Sequence, residues 1–302
     1  MNPIVEVKNL SKSYKEVDAV RNLSFSVNSG DVYGFLGQNG AGKSTTIRML
    51  MTLIAPTEGT INIFGKTLHN HRNEILSRIG AVIEKPDVYK YLSAYDNLKL
   101  FAKISGVKPT RQMLMQQLEM VGLDQRWNSK VSTFSQGMKQ RLGIAIALVH
   151  NPALIILDEP TNGLDPQGIA DIRNLILNLS KLHGKTIIVS SHLLSEIELI
   201  ANRMIIIHKG EKIVEGDVQE LLDPSKNIVQ IETTNNEAAK QIIALSNFTE
   251  EVKQSHQHLH MQMNKNRVPD LIKYLSDKNV AIISVQSKHS LEDYFLNLTK
   301  SN

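Results

Sequence analysis

The sequence predicts an α/β protein in two parts: a mixed-sheet core around a phosphate-binding loop, interrupted by a helical subdomain, and then a small α+β unit of ferredoxin-like order. Three observations carry this reading. The stretch GQNGAGKST at residues 37–45 stands between an apolar run, VYGFL, and a helically spaced segment, TTIRMLMTLI. Four short apolar runs, GAVIE, ALIILDE, TIIVSS and RMIIIH, alternate with helical patterns as buried parallel strands do. After EGDVQELLDPSKN the pattern becomes β-α-β-β-α-β.

Taken in order, the alternating segments IVEVKNL, LSFSV and TINIFG predict an antiparallel sheet near the start. The loop that follows VYGFL fits G-x-x-x-x-G-K-[ST], with Gly37, Asn39, Gly40, Ala41 and Gly42 ahead of Lys43, Ser44 and Thr45. Glycines let successive backbone N–H groups turn onto phosphate oxygens, and the next helix adds the positive end of its dipole. Lys43 is placed to reach the β- and γ-phosphates of ATP or GTP, and the Ser44 hydroxyl to ligate Mg²⁺. From about Pro86 to His150 the chain reads as wholly helical, with Ser93 as a cap, Gly106 and Pro109 ending one helix and Gly122 following the next. The strand ALIILDE then delivers Asp158 and Glu159 at its end, one suited to hold Mg²⁺ and the other to polarise an attacking water as general base. The bland alternative is a buried strand that ends in an acidic turn. Last come IVQIET, EAAKQIIAL, TEEVKQ, HLHMQM, VPDLIKYLSDK, AIISVQS and a closing helix SLEDYFLNLT. The domains are therefore expected at 1–222, with the helical subdomain at 86–150, and at 226–302.

Composition narrows the class. The chain has 302 residues, 41% of them hydrophobic, enough for a buried core. Lys and Arg number 34 against 30 Asp and Glu, and no dense block of one charge suggests a nucleic-acid surface, so no direct nucleic-acid partner is expected. There are no cysteines, which removes disulfides, Cys-based zinc sites and thiol catalysis together. The start, MNPIVEVKNL, lacks a charged-then-apolar signal, and runs such as IAIALV are far too short to span a bilayer, so a membrane role is expected to use a separate chain. HQHLH sets His256, His258 and His260 on one side of a strand, with Leu259, Met261 and Met263 on the other. A half-buried strand needs that alternation anyway, and the preferred reading is a solvated face, not a metal site.

The ordered set GQNGAGKST, FSQGMKQR, LIILDEP, GLDP and SSH covers nearly all of residues 4–222, and by it the chain resembles the ATP-binding-cassette (ABC) ATPases. On AVIEKPDVYKYLSAYDNL, FSQGMKQRL and SLEDYFLNLT it looks most like the branch of bacitracin- and lantibiotic-export subunits. The resemblance implies a P-loop ABC ATPase core, ATP and Mg²⁺ as ligands, and an ATP-promoted head-to-tail homodimer driving a separate transmembrane permease from the inner face of the membrane. It gives Tyr14 a stacking role against adenine, and it places Ser135 and Gly137 over the γ-phosphate of the opposite subunit. It puts His192 on the γ-phosphate of its own subunit and Asp165 at the dimer seam. For Tyr14 the alternative is a surface strand tyrosine, and for Asp165 an ordinary turn acid. Two departures stand out: the signature turn is Phe134-Ser135-Gln136-Gly137-Met138 where most members have Leu-Ser-Gly-Gly-Gln, and Glu84 stands where a glutamine is usual. Glu84 is expected to ligate Mg²⁺ in that glutamine's place and to join the γ-phosphate sensor to the segment PDVYKYL, where Tyr89 and Tyr91 are expected to touch the permease. An exporter ATPase is the leading reading. A nucleotide-gated subunit with little turnover is kept beside it because of the altered turn. A soluble ATPase acting on DNA or ribosomes fits less well, since the chain has one P-loop and no long heptad insertion.

Overall fold

The computed structural model describes residues 3–221, 227–248, 252–255 and 258–289. The chain divides into a unit of Met1–Asp217 and a second of Val218–Asn302. The first begins with a hairpin of β1 (Pro3–Tyr14) and β2 (Val17–Asn28), followed by β3 (Val32–Leu36), α1 (Lys43–Leu50), β4 (Glu58–Ile63) and β5 (Lys66–Thr67). Strands β2, β1, β4 and β5 form an antiparallel sheet in that order. Val5, Val7 and Leu10 of β1 are all buried although their spacing breaks the period of two. A register shift between Val7 and Leu10, with Asn9 at φ 49°, absorbs the extra residue as a bulge.

The chain continues through α2 (Arg72–Leu76), β6 (Ile79–Val82), α3 (Ala94–Ile104), α4 (Arg111–Met120) and α5 (Gln136–Leu148). Ser93 caps α3 by accepting from Asp96 N at 3.0 Å, and Thr110 caps α4 by accepting from Met113 N at 3.2 Å. The expectation of helix from Pro86 onward is corrected: the first helix of this region starts at Ala94, and the approach to it is a loop with a single β-bridge between Ser93 and Lys130. The reason is Asn97, fully buried, whose amide accepts from Tyr89 N at 2.8 Å and donates to Tyr89 O at 3.0 Å. Those two bonds satisfy the Tyr89 backbone from a side chain, so no helical turn is needed there.

Then follow β7 (Leu154–Asp158), α6 (Pro166–Lys181), β8 (Thr186–Ser191), α7 (Leu194–Glu198), β9 (Arg203–His208) and β10 (Glu211–Asp217). The second sheet has the order β10-β9-β3-β8-β7-β6, parallel from β9 to β6, with β10 antiparallel at the edge. Every residue of β3, β7 and β8 is buried, which is why these strands read as continuous apolar runs. Leu36 pairs with Ser191 and Asp158 with Ser190, so the carboxyl ends of β3, β7 and β8 lie side by side. Ligands of open parallel sheets gather at that edge.

The second unit holds α8 (Val218–Leu221), β11 (Asn227–Thr233), α9 (Asn236–Ala244), β12 (Val252–Ser255), β13 (His258–Gln262), α10 (Val268–Asp277) and β14 (Ile282–His289). Its antiparallel sheet runs β12-β13-β11-β14, the ferredoxin-like order for β-α-β-β-α-β. Leu259, Met261 and Met263 are buried with Val229, Ile231, Ile243, Leu271 and Leu275, while His258 and His260 stay partly exposed. Among the described residues no cluster of three or more His, Asp or Glu side chains is arranged to hold a metal. His256 and the segment SLEDYFLNLT lie outside the described residues.

The packing of β6 against α5 leaves no room at Gly80, where a Cβ would stand 2.1 Å from Ala147 O and 2.9 Å from Pro152 Cγ. Gly80→Ala is therefore expected to lower stability by about 1–3 kcal/mol, the usual cost of overpacking a tight core, read as a shift in the chemical-denaturation midpoint.

Candidate functional site

The phosphate loop is shaped by what surrounds it. Gly42 has φ 104°, and a Cβ there would meet Ala19 O at 2.5 Å, so the β1–β2 hairpin and the backbone conformation both demand glycine. Helix α1 has no side-chain cap, whereas α3, α4, α5 and α6 each have one. Among the described residues, the backbone N–H groups of Gly42, Lys43, Ser44 and Thr45 take no protein acceptor. Four adjacent free donors at a helix start form an anion cradle, and they fit a triphosphate.

Lys43 is almost wholly buried, and its ammonium donates to Gly37 O at 2.6 Å and Gln38 O at 3.1 Å. Its Nζ also lies 3.0 Å from Glu159 Oε1. The other carboxylate oxygen, Oε2, is 2.8 Å from His192 Nδ1. An ionised carboxylate only accepts, so Nδ1 is the ring nitrogen that donates, and Nε2 points elsewhere. Burial by itself would raise the Glu159 pKa. The hydrogen bond and charge of Lys43, joined by His192, outweigh it and hold the carboxyl below the usual Glu value. Glu159 is therefore an anion poised between the phosphate loop and the end of β8.

Asp158 is buried and accepts from Ser190 Oγ at 2.6 Å. A cleft of about 880 Å³ opens beside these groups, lined among others by Asn39, Ser44, Glu84, Gln140, Asp158 and Glu159. Ser44, Glu84 and Asp158 thus line one cleft with oxygen donors, the donor chemistry that suits Mg²⁺. Glu84 has φ 61° and is paired with Arg48 of α1, one turn beyond Ser44.

The other expected residues stand apart. Tyr14 ends β1, 46% exposed, with Lys12 Nζ 5.1 Å from its ring centroid. Ser135 caps α5 by accepting from Met138 N at 3.2 Å, and Gly137 lies in the first turn of that helix. Asp165 caps α6 by accepting from Gly168 N at 3.2 Å. The Gln136 departure has a visible consequence, because its Nε2 donates to Asn162 O at 3.1 Å and ties the signature turn to the loop before Asp165.

Sequence reasoning missed the hydroxyl network beneath the site. Ser190 Oγ also accepts from Glu159 N at 2.8 Å. Ser191 and Thr161 both donate to Glu196 Oε2 at 2.8 Å, and Leu193 N donates to Ser191 Oγ at 3.0 Å. Arg48 was missed as well. The signal available was two serines ending an otherwise apolar strand, a place where a buried hydroxyl must find partners.

Comparison with known proteins places the chain in one family. The family model described as ABC transporter matches residues 20–162. The bacitracin transport ATP-binding protein BcrA of Bacillus licheniformis is 40% identical over 301 residues, covering 99% of this chain and 98% of BcrA. The lantibiotic transport ATP-binding protein SrtF of Streptococcus pyogenes is 42% identical over 228 residues, covering 76% of this chain and 95% of SrtF. Among solved structures, an ATP-binding cassette captured as a dimer in a post-hydrolysis state with ADP and Pi superposes with a TM-score of 0.64 at 28% identity. It covers 71% of this chain and 98% of its own.

The depressed Glu159 pKa gives the Lys43 contact a pH signature. A carboxyl whose folded pKa is lowered contributes stability above its unfolded pKa and loses it as pH falls through the folded value. Lys43→Met in nucleotide-free protein is expected to cost about 1–3 kcal/mol at neutral pH, the range for a hydrogen bond to a charged group. That difference from the natural chain should shrink below about pH 4.3, where the unfolded carboxyl protonates. Denaturation midpoints measured across pH test this.

Proposed function

From the premise that this chain belongs to the ABC transporter ATPases and is their ATP-hydrolysing subunit, we propose the roles its residues play and the way it is coupled. The observation that carries the reading is Glu159, held as an anion between Lys43 and His192 beneath four free backbone donors. The amides of residues 42–45 and Lys43 hold the phosphates, and Gly37, Asn39, Gly40 and Ala41 shape the loop around them. Tyr14 stacks on adenine. Ser44, Asp158 and Glu84 hold Mg²⁺, which when bound neutralises charge on the β- and γ-phosphate oxygens. Glu159 takes the proton from the attacking water, and its low pKa keeps it in the accepting form. His192 holds Glu159 in place through Nδ1 and faces the γ-phosphate with Nε2.

In this reading residues 1–222 form the nucleotide-binding domain, with a helical subdomain at 86–150, and residues 226–302 an accessory domain. Two copies close head to tail. Ser135 and Gly137 of one cover the γ-phosphate on Lys43 of the other, and Asp165 lies in the seam. Among the described residues no helix is long and apolar enough to cross a membrane. The energy therefore passes to a separate transmembrane permease, with this subunit lying on the inner face of the membrane. The relatives are named for bacitracin transport and lantibiotic transport, which supports an antibiotic of that kind as cargo, with export as the direction of this reading.

Glu159→Gln is expected to bind ATP normally, to slow hydrolysis by roughly 10²- to 10⁴-fold, the contribution of a positioned general base, and to accumulate an ATP-dependent dimer. Phosphate release and size-exclusion chromatography with Mg-ATP or ADP read both; turnover at the natural rate would remove Glu159 from the chemistry. Docking is tested at Tyr89 and Tyr91, which are 54% and 88% exposed in the loop that follows Glu84. With both changed to Ala, basal ATPase of the isolated subunit should be unchanged and permease-stimulated ATPase in membranes lost. Full stimulation by the double variant would place the docking surface elsewhere.

A further inference from the structure

Ser190 is fully buried in β8, a strand whose residues Ile187, Ile188 and Val189 are buried too. A hydroxyl in such surroundings is costly unless its hydrogen-bonding capacity is used. Here it is used on both sides. Its single proton goes to Asp158 Oδ1 at 2.6 Å, and its lone pair receives Glu159 N–H at 2.8 Å. Because the hydroxyl has one proton, its direction is settled: Asp158 must accept through Oδ1, and the Glu159 amide must donate. Among the described residues Asp158 Oδ2 receives no protein donor, and Asp158 lines the cleft.

Glu159 needs such a restraint. Its φ of 49° lies in the left-handed region that a non-glycine residue seldom adopts, and the backbone persists there only if its surroundings hold it. The only side-chain acceptor for its N–H among the described residues is Ser190. The parallel register pairs Asp158 with Ser190 directly, so one atom on β8 reaches both neighbouring acids.

We propose that Ser190 is a positioning residue for ATP hydrolysis: its hydroxyl sets the backbone of Glu159 and the orientation of the Asp158 carboxylate, so that the two neighbouring acids take different tasks. This rests on the roles assigned above to Glu159 and Asp158. Ser190 is fully buried and does not line the cleft, so its effect runs through those two residues. Without the hydroxyl the Glu159 turn relaxes and its carboxylate leaves the line between Lys43 and His192. The phosphate cradle, built by residues 37–45, is untouched. The signature is thus a loss in kcat with little change in KM.

The full-length chain carrying Ser190→Ala should lose about tenfold or more in kcat, matching one buried hydrogen bond of roughly 1.4 kcal/mol, while KM for ATP stays within about twofold. Ser190→Thr, which restores a hydroxyl on a β-branched frame suited to a strand, should recover most of the rate. A second readout does not depend on turnover: amide exchange at Glu159 should be faster in Ser190→Ala and slow again in Ser190→Thr. The proposal is overturned if Ser190→Ala keeps kcat within about twofold, or if kcat and KM fail together with no recovery in Ser190→Thr, the pattern of a purely structural residue. Glu159→Gln run in parallel separates the two levels. Natural turnover in Glu159→Gln overturns the assignment of the base and this inference with it; loss there beside a fully active Ser190→Ala overturns the inference alone.

Discussion

A single carboxylate, Glu159, accepts from an ammonium on one side and an imidazole on the other, at 3.0 Å from Lys43 and 2.8 Å from His192. Neither partner is near it in sequence. Lys43 opens α1 after the glycine loop, Glu159 directly follows β7 and His192 follows β8, and only adjacent parallel strands with matched ends bring the three together. Most of the core serves that alignment. The apolar runs of β3, β7 and β8 are buried on both faces so that their carboxyl ends form one rim, and the glycine loop turns back over it. Burial of charge is tolerated there because each charged group has a partner: Lys43 has two carbonyls and a carboxylate, and Glu159 has two donors.

Around this centre a set of neutral hydroxyls does the fastening. Ser190 ties β8 to Asp158 at the end of β7 and to Glu159 just after it, while Ser191 and Thr161 converge on Glu196, which anchors α7 to the segments carrying His192 and Pro160. Hydroxyls suit this work since each both donates and accepts, so a network can be closed without adding charge to the rim. Farther out, Arg48 neutralises Glu84, and Asn97 holds the Tyr89 backbone from within the helical region. The loop from Glu84 to Tyr89 is therefore held at both ends, one by a charge beside the phosphate helix and one by an amide in α3.

The departures from the common family pattern have local explanations of the same kind. Gln136 replaces a glycine and uses its amide to reach Asn162 O, packing against Gly163, where a Cβ would be 2.9 Å from its nitrogen. The turn at Ser135 and the loop before Asp165 are thus connected within one chain. In the second unit, the histidines of HLH face outward because Leu259 and Met261 are needed inward. His258 lies 3.8 Å from Glu232, a weak partner for a partly exposed ring, and forms no metal group among the described residues.

Local chemistry made much of this legible in the sequence alone. The GQNGAGKST loop, the ALIILDE strand with its two acids, the caps Ser93 and Gly122 and the β-α-β-β-α-β order each depend on neighbours a few residues away, and short-range rules reach that far. The start of the first helix in 86–150 was misplaced because Asn97 satisfies the Tyr89 backbone across eight residues, a contact no periodicity displays. The pairing of Glu159 with Lys43 and His192, the Arg48–Glu84 contact, and the hydroxyl bridges of Ser190 and Glu196 belong to the tertiary structure alone. They join residues from 5 to 116 positions apart, as with Ser191–Glu196 and Lys43–Glu159, and the register of parallel strands decides which atoms meet. Side-chain identity names the chemistry a residue can do; a hydrogen bond is a matter of tenths of an ångström, and only the packed sheet supplies that.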